Sequence, residues 1–163
     1  MKKFAYIFAI FAIIAIYTKS NAQALNDIFN RYSGQEGFTS ISLSDLSFMD
    51  IDIGTIDNVK ILTYESSKKK NIEQGKQFAL DLKNLRLNLG EEYKEFMSIN
   101  DDDSYVRMLY KKTNSIIKEF LMYVIGTDGE STLIWISGDL DLENIGEIGK
   151  MFNKDIAKKG YLK

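Results

Sequence analysis

Residues 116–148 constrain the fold more than any other stretch of the chain. They read IIKEFLMYVI, then GTDGES, TLIWIS and GDLDLENIGEI. Two apolar runs flank Asp128-Gly129, and Asp-Gly in that setting is a hairpin signal, because a type I′ turn needs positive φ at both central residues. The two strands are apolar on both faces. Phe120, Met122 and Val124 alternate with Leu121, Tyr123 and Ile125, so the pair belongs at the centre of a sheet with at least one face under helices.

Upstream of this hairpin the period is also two. YKEFMSI (93–99) and YVRMLYKK (105–112) read as strands separated by the polar turn NDDDS, and a turn at 113–115 leads into residue 116. Alternation in the second of these sends Val106, Met108 and Tyr110 inward and Tyr105, Arg107 and Lys111 outward. Four consecutive strands joined by short polar turns make an antiparallel meander.

The N-terminal half adds two strands and two helices. ALNDIFNRY (24–32) places Leu25, Ile28, Phe29 and Tyr32 on one helical face, stopped by Ser33-Gly34. FTSISLS (38–44) alternates, and so does VKILTY (59–64). Between them, 45–57 divides into one helical turn capped by Ser44 and an irregular loop ending near Asn58. A longer helix covers about 70–89, with a stripe of Ile72, Phe78, Ala79, Leu82, Leu85 and Leu89, and Gly90 closes it. Leu80 and Leu87 lie off that stripe. Asp141 caps a last helix with the stripe Leu142, Ile145, Ile148 and Phe152, and acidic residues precede basic ones along it, as the helix dipole favours. Gly146 and Gly149 in that helix mark close packing on the sheet. The fold class is therefore α+β: one antiparallel sheet of about five or six strands with a C-terminal meander, and helices mainly on one face.

The first 22 residues stand outside this domain. Met1-Lys2-Lys3 is basic, residues 4–17 are an unbroken apolar run, and SNAQA offers small residues for cleavage after Ala22 or Ala24. That is the pattern of a secretory signal peptide, and the run is shorter than the roughly 20 residues a spanning helix needs. Residues 23–163 then form a single domain, exported to the periplasm or secreted. Losing Lys2, Lys3 and Lys19 moves the net charge from −2 to −5. Such a mildly acidic chain is unsuited to nucleic acid or to anionic lipid surfaces.

The chain contains no cysteine, no histidine and no proline. Missing cysteine removes disulfides, thiolate chemistry and the lipid anchor of a bacterial lipoprotein. Missing histidine removes the usual general base and the commonest zinc ligand. Neither acidic cluster has calcium-loop spacing: Asp101-Asp102-Asp103 lacks alternation, and counting from Asp139 puts Asn144 at the sixth position and Lys150 at the twelfth. The first reads as a solvated turn, the second as a strand-to-helix junction. Lys68-Lys69-Lys70 reads as a solvated face. No catalytic residue, metal site or cofactor is assigned. Three residues stand out as binding candidates: Tyr105 and Arg107, sent outward by their strand's alternation, and Glu119, a carboxylate within an apolar strand. Glu119 is either a perturbed acid in a cleft or a residue at the edge of the buried zone.

IFNRYSGQEGFTSISLS (28–44), VKILTYES (59–66), IIKEFLMYVIG (116–126) and LIWISGDLDLENIGEI (133–148) together resemble the family filed as domain of unknown function 4252. The resemblance implies a small exported protein of a Gram-negative bacterium. Its blocks are packing and turn motifs, so it implies no catalytic residues. Many such proteins look like lipoproteins, and this chain departs from them in lacking the anchoring cysteine. The expected function is a non-enzymatic envelope protein that binds another protein or a small ligand. The alternative is a hydrolase using Asp, Glu, Lys or Tyr in a cleft.

Overall fold

The computed structural model describes residues 21–44, 54–66 and 71–141. The elements run α1 (Asn21–Tyr32), β1 (Phe38–Ser44), β2 (Gly54–Tyr64), α2 (Ile72–Asn88), β3 (Tyr93–Asn100), β4 (Ser104–Thr113), β5 (Ile116–Gly126) and β6 (Ser131–Leu140). The six strands form one sheet in the order β1-β2-β6-β5-β4-β3, antiparallel throughout. The α+β class holds. The last four strands pair in succession, but the whole sheet is not a simple meander. After β2 the chain crosses through α2 to the far edge, and the meander then returns until β6 closes against β2.

The central strands are β5 and β6, as their two apolar faces require. On one face Leu121, Tyr123, Leu133 and Leu62 pack with Leu25, Ile28, Phe29 and Tyr32 of α1 and Phe78, Leu82 and Leu85 of α2. On the other face Phe120, Met122, Ile134 and Ile136 form a second buried cluster with Ile56, Ile117 and Leu140. Both helices lie over the first face. Their mutual contact is fixed by Asp81, which accepts from Arg31 Nη1 at 2.6 Å, Tyr32 Oη at 2.8 Å and Gln77 Nε2 at 2.9 Å.

Helix α2 approaches the sheet most closely at Gly75, where a Cβ would lie 2.2 Å from Cε1 of Tyr64. The α1 stripe is buried as its spacing requires. In α2, Ile72 departs from the expected stripe. It is the first helical residue and is exposed, as are Leu80 and Leu87, while Gly75 takes the inward place.

Two local expectations are corrected. Residues 54–57 are not loop but the start of β2, which pairs with β6 from Gly54↔Leu140 onward and carries a bulge between Ile56 and Asn58. Gly138 permits this close crossing: its φ is 154°, and a Cβ there would meet Thr55 O at 2.1 Å. The β5–β6 turn is not type I′. Among its residues only Gly129 has positive φ (87°), Gly129 N–H donates to Gly126 O, and Gly126 N–H donates to Glu130 O at 2.8 Å. That is a three-residue loop ending in a left-handed glycine. Positive φ at both central positions occurs instead in the β4–β5 turn, at Asn114 (50°) and Ser115 (71°). Residues 1–20 of the expected signal peptide (1–22), the helical turn after Ser44, the lysine run and the last helix with Gly146 and Gly149 lie outside the described residues.

Candidate functional site

Two polar groups lie on the helix-bearing face, where β3, β4 and β5 meet. The first surrounds Glu119. Bulges between Lys111 and Lys112 against β5, and between Ile117 and Glu119 against β6, interrupt the ladder here. Lys118 forms an ion pair with Asp139. Glu119 turns under the helices, its side chain 15% exposed. Its Oε2 accepts from Tyr93 Oη at 2.5 Å and from Trp135 Nε1 at 3.0 Å. Its Oε1 lies 3.7 Å from Lys111 Nζ, which also pairs with Glu92 at 2.8 Å. Burial, and then the Glu119 carboxylate, push the Tyr93 hydroxyl well above its ordinary pKa. The bond to Glu92, followed by the charge of Glu119, raises that of Lys111. Beyond Trp135, Lys60 Nζ lies 5.0 Å from the indole centroid and donates to Asn26 Oδ1. Glu119 is thus the acceptor at the centre of a buried network. It ties β5 to β3, β4 and β6.

The second group surrounds Arg107. Register places Arg107 directly opposite Tyr123, with Tyr105 opposite Ile125 one pleat away. Tyr105, Arg107 and Lys111 therefore face the helix side rather than the outside. Leu109, on the same face between them, is fully buried. The alternation holds, but a strand apolar on both sides does not reveal which face is wet. Tyr105 packs against the main core with its ring centroid 6.2 Å from that of Tyr123. The Arg107 guanidinium lies 5.2 Å from the Tyr105 centroid. Arg107 Nε is 3.2 Å from Glu95 Oε2, close enough to balance charge. Even so, the angle leaves Nε without a hydrogen-bond acceptor in the protein, and the buried Tyr123 hydroxyl also has no hydrogen-bond partner there. Burial, then neighbouring Tyr105, raise the Tyr123 pKa against an opposing effect of Arg107, so the hydroxyl stays protonated and able to donate. The Arg107 Nε–H and the Tyr123 hydroxyl thus converge on adjacent strands, neither in a well-aligned hydrogen bond, and the Arg107 side chain is 22% exposed.

Tyr105 and Arg107 come together as one group. Glu119 belongs to the other. Tyr93, Trp135, Lys111 and Tyr123 complete the two groups; in the sequence Trp135 and Tyr123 can line a ligand site but read more simply as core, because they are polar tips on apolar bodies, and nothing singles out Tyr93 or Lys111. Two signals existed: a carboxylate within an apolar strand requires buried donors, and Tyr and Trp carry them. A depression of about 460 Å³ lies elsewhere, at the end of the sheet, and its lining includes Gly54, Ser115, Ile117 and Asp139. The Asp101 carboxylate is held below its usual range by the backbone N–H groups of Ser104 and Asp103, as in an Asx turn. Among the described residues no three acidic side chains converge as metal ligands, and no helix is long and apolar enough to cross a membrane.

Comparison with curated proteins finds no match. Residues 32–148, from the end of α1 through all six strands, match a family model, and the chain belongs to that family, described as Domain of unknown function (DUF4252).

Proposed function

We propose that this is an exported, non-enzymatic envelope protein, free of a lipid or spanning anchor once its leader is removed, that binds a carboxylate-bearing ligand at Arg107, Tyr123 and Tyr105. One observation carries the reading: Arg107 Nε and Tyr123 Oη are buried polar atoms on residues opposite each other in register, and neither makes a well-aligned hydrogen bond within the protein. A buried donor left unmet costs about 1–3 kcal/mol, so an incoming acceptor recovers that cost. Guanidinium and carboxylate match in charge and planar geometry. The ligand competes with Glu95 for Arg107, which lowers its net affinity, so binding relies on a directional contact that Glu95 does not make.

The test is thermal-shift and calorimetric titration with succinate, citrate and benzoate. Saturable stabilisation that disappears in both Arg107→Gln and Tyr123→Phe is the expected result. Stabilisation that is absent from the parent protein, or unchanged in both variants, overturns the assignment.

A hydrolase acting through Glu119 has one observation in its favour, the convergence of Glu119, Glu92, Lys111 and Tyr93. Two facts weigh against it. Tyr93 and Trp135 both bond the same carboxylate oxygen, and Tyr93 is driven away from the ionised form that a base requires. Turnover of generic ester or glycoside substrates that is lost in Glu119→Gln would favour the hydrolase.

A further inference from the structure

The two edges of the sheet are treated differently. At β3 the edge is interrupted by a bulge between Glu95 and Met97 and carries Lys94 and Glu95. Bulges and charges of this kind block pairing with another strand. At the other edge β1, FTSISLS, has no charge, no proline and no bulge, and its register against β2 is continuous from Phe38↔Tyr64 to Ser44↔Asn58. Its residues from Thr39 onward are all exposed, with Ile41 at 44% and Leu43 at 45%.

The backbone of β1 points its free groups outward in a known phase. Glu65 N–H donates to Gly37 O, so Gly37 faces β2, while Phe38 N–H turns the other way to Gln35 O. Alternation then directs the N–H and C=O of Ser40, Ser42 and Ser44 away from the sheet. Among the described residues β1 has no strand beyond it.

We propose that β1 pairs with β1 of a second copy of this chain, antiparallel about a two-fold axis through Ile41, joining two six-stranded sheets into one. This register opposes Ser40 to Ser42 of the partner copy, and their outward groups exchange hydrogen bonds. Ile41 faces its own equivalent in a non-hydrogen-bonded pair, where side chains approach most closely. Thr39 then faces the partner's Leu43 on the same side. The strand is self-complementary because it carries no charge, so no like charges meet anywhere along it. A strand pair of seven residues is only about 24 Å long and buries less than the roughly 1,200 Å² of a standard stable interface. The dimer is therefore weak, with a dissociation constant on the order of 100 µM. This inference is independent of the ligand site, which lies towards the opposite edge.

Sedimentation equilibrium of the purified protein tests it, over about two decades of concentration around that value. A reversible monomer–dimer equilibrium is expected. Ile41→Lys brings two ammonium groups together at the axis, and Ser42→Pro deletes an outward N–H. Each should weaken the dimer at least about tenfold, while unchanged far-ultraviolet dichroism and Tm report an intact monomer. Because the chain has no cysteine, a site-specific crosslink gives a second readout. Ile41→Cys should form a disulfide-linked dimer with oxidised glutathione far faster than Ile99→Cys on the β3 edge, since a non-hydrogen-bonded pair suits disulfide geometry. A protein that stays monomeric throughout, a dimer untouched by Ile41→Lys, or equal crosslinking at both edges overturns the proposal.

Discussion

At the scale of single residues, the molecule handles its buried polar groups in two opposite ways. Glu119 is fully engaged: Tyr93 and Trp135 donate to it, and Lys111 supplies the charge. Replacing it with alanine leaves a buried hydroxyl and a buried indole N–H without an acceptor, so Glu119→Ala should cost about 2–4 kcal/mol in urea unfolding. Glu119→Gln keeps an acceptor oxygen and should cost less than half as much. Trp135 is the only tryptophan, so a change in its fluorescence emission in Glu119→Ala but not in an α2 surface variant ties the loss to this bond. Tyr123 is the contrary case. Its hydroxyl is buried without a protein partner, and removing an unmet polar group is neutral or favourable. Tyr123→Phe should therefore leave stability unchanged or raise it by up to about 2 kcal/mol. A clear loss of stability would mean that the hydroxyl is satisfied within the protein and is not waiting for a ligand. Ligand affinity and stability should thus move in opposite directions at this residue, which packing alone does not produce.

Turns and helix contacts decide stability at the scale of elements. The β4–β5 turn requires positive φ at Ser115 (71°), where serine gains nothing to offset its Cβ. Ser115→Gly should stabilise the protein by about 0.5–1 kcal/mol, measured as an upward shift in Tm with unchanged cooperativity. Gly75 is the reverse. Alanine is the better helix former by about 1 kcal/mol, but the Tyr64 ring occupies the space its Cβ needs, so Gly75→Ala should be net destabilising by about 1–3 kcal/mol. These two sites also mark what the sequence made legible. Strand periodicity and the stripe of α1 follow from which side chains must be buried, and they were readable in FTSISLS, VKILTY and Leu25–Ile28–Phe29–Tyr32. The turn type was not, because Asp-Gly serves both a two-residue loop and a three-residue loop with a left-handed glycine. Gly75 was unreadable as a contact because its meaning lies in Tyr64, eleven residues away and on another element. Strand 54–57 was hidden because Gly54 and Asp57 resemble a loop until β6 supplies a partner.

For the whole molecule, the site was less legible than the fold for a related reason. A sheet apolar on both faces gives no sign in its alternation of which side the helices take, so alternation puts Tyr105 and Arg107 together on one face but does not tell that this face lies under the helices. The same arrangement buries tyrosines on the helix side, and they couple folding to pH. Burial, and then the bond to Asp81, push Tyr32 up to about 12. Tyr93 and Tyr123 are raised as well, first by burial and then by Glu119 and Tyr105 respectively. In the unfolded chain each ionises near 10. Below about pH 10 both states hold these protons, and the contribution of the three hydroxyls to stability is fully present. Above it the unfolded chain releases them while the folded chain retains them, so the folded state binds more protons and stability falls as pH rises. For Tyr32 that loss is complete once pH passes about 12. The protein should therefore unfold cooperatively in alkali between about pH 10 and 12. Absorbance at the tyrosinate band is the measurement. Of the nine tyrosines in the chain, these three should ionise together, in the same step that abolishes the near-ultraviolet dichroism. Tyr32→Phe keeps the ring stacked on Phe38 at 5.0 Å but removes the hydroxyl bonded to Asp81. It should reduce the ionising step by one tyrosine and make stability less steeply dependent on pH above 10. Gradual ionisation of every tyrosine before the dichroism changes would show that the three hydroxyls are open to solvent, and that the helix-covered face is looser than its packing implies.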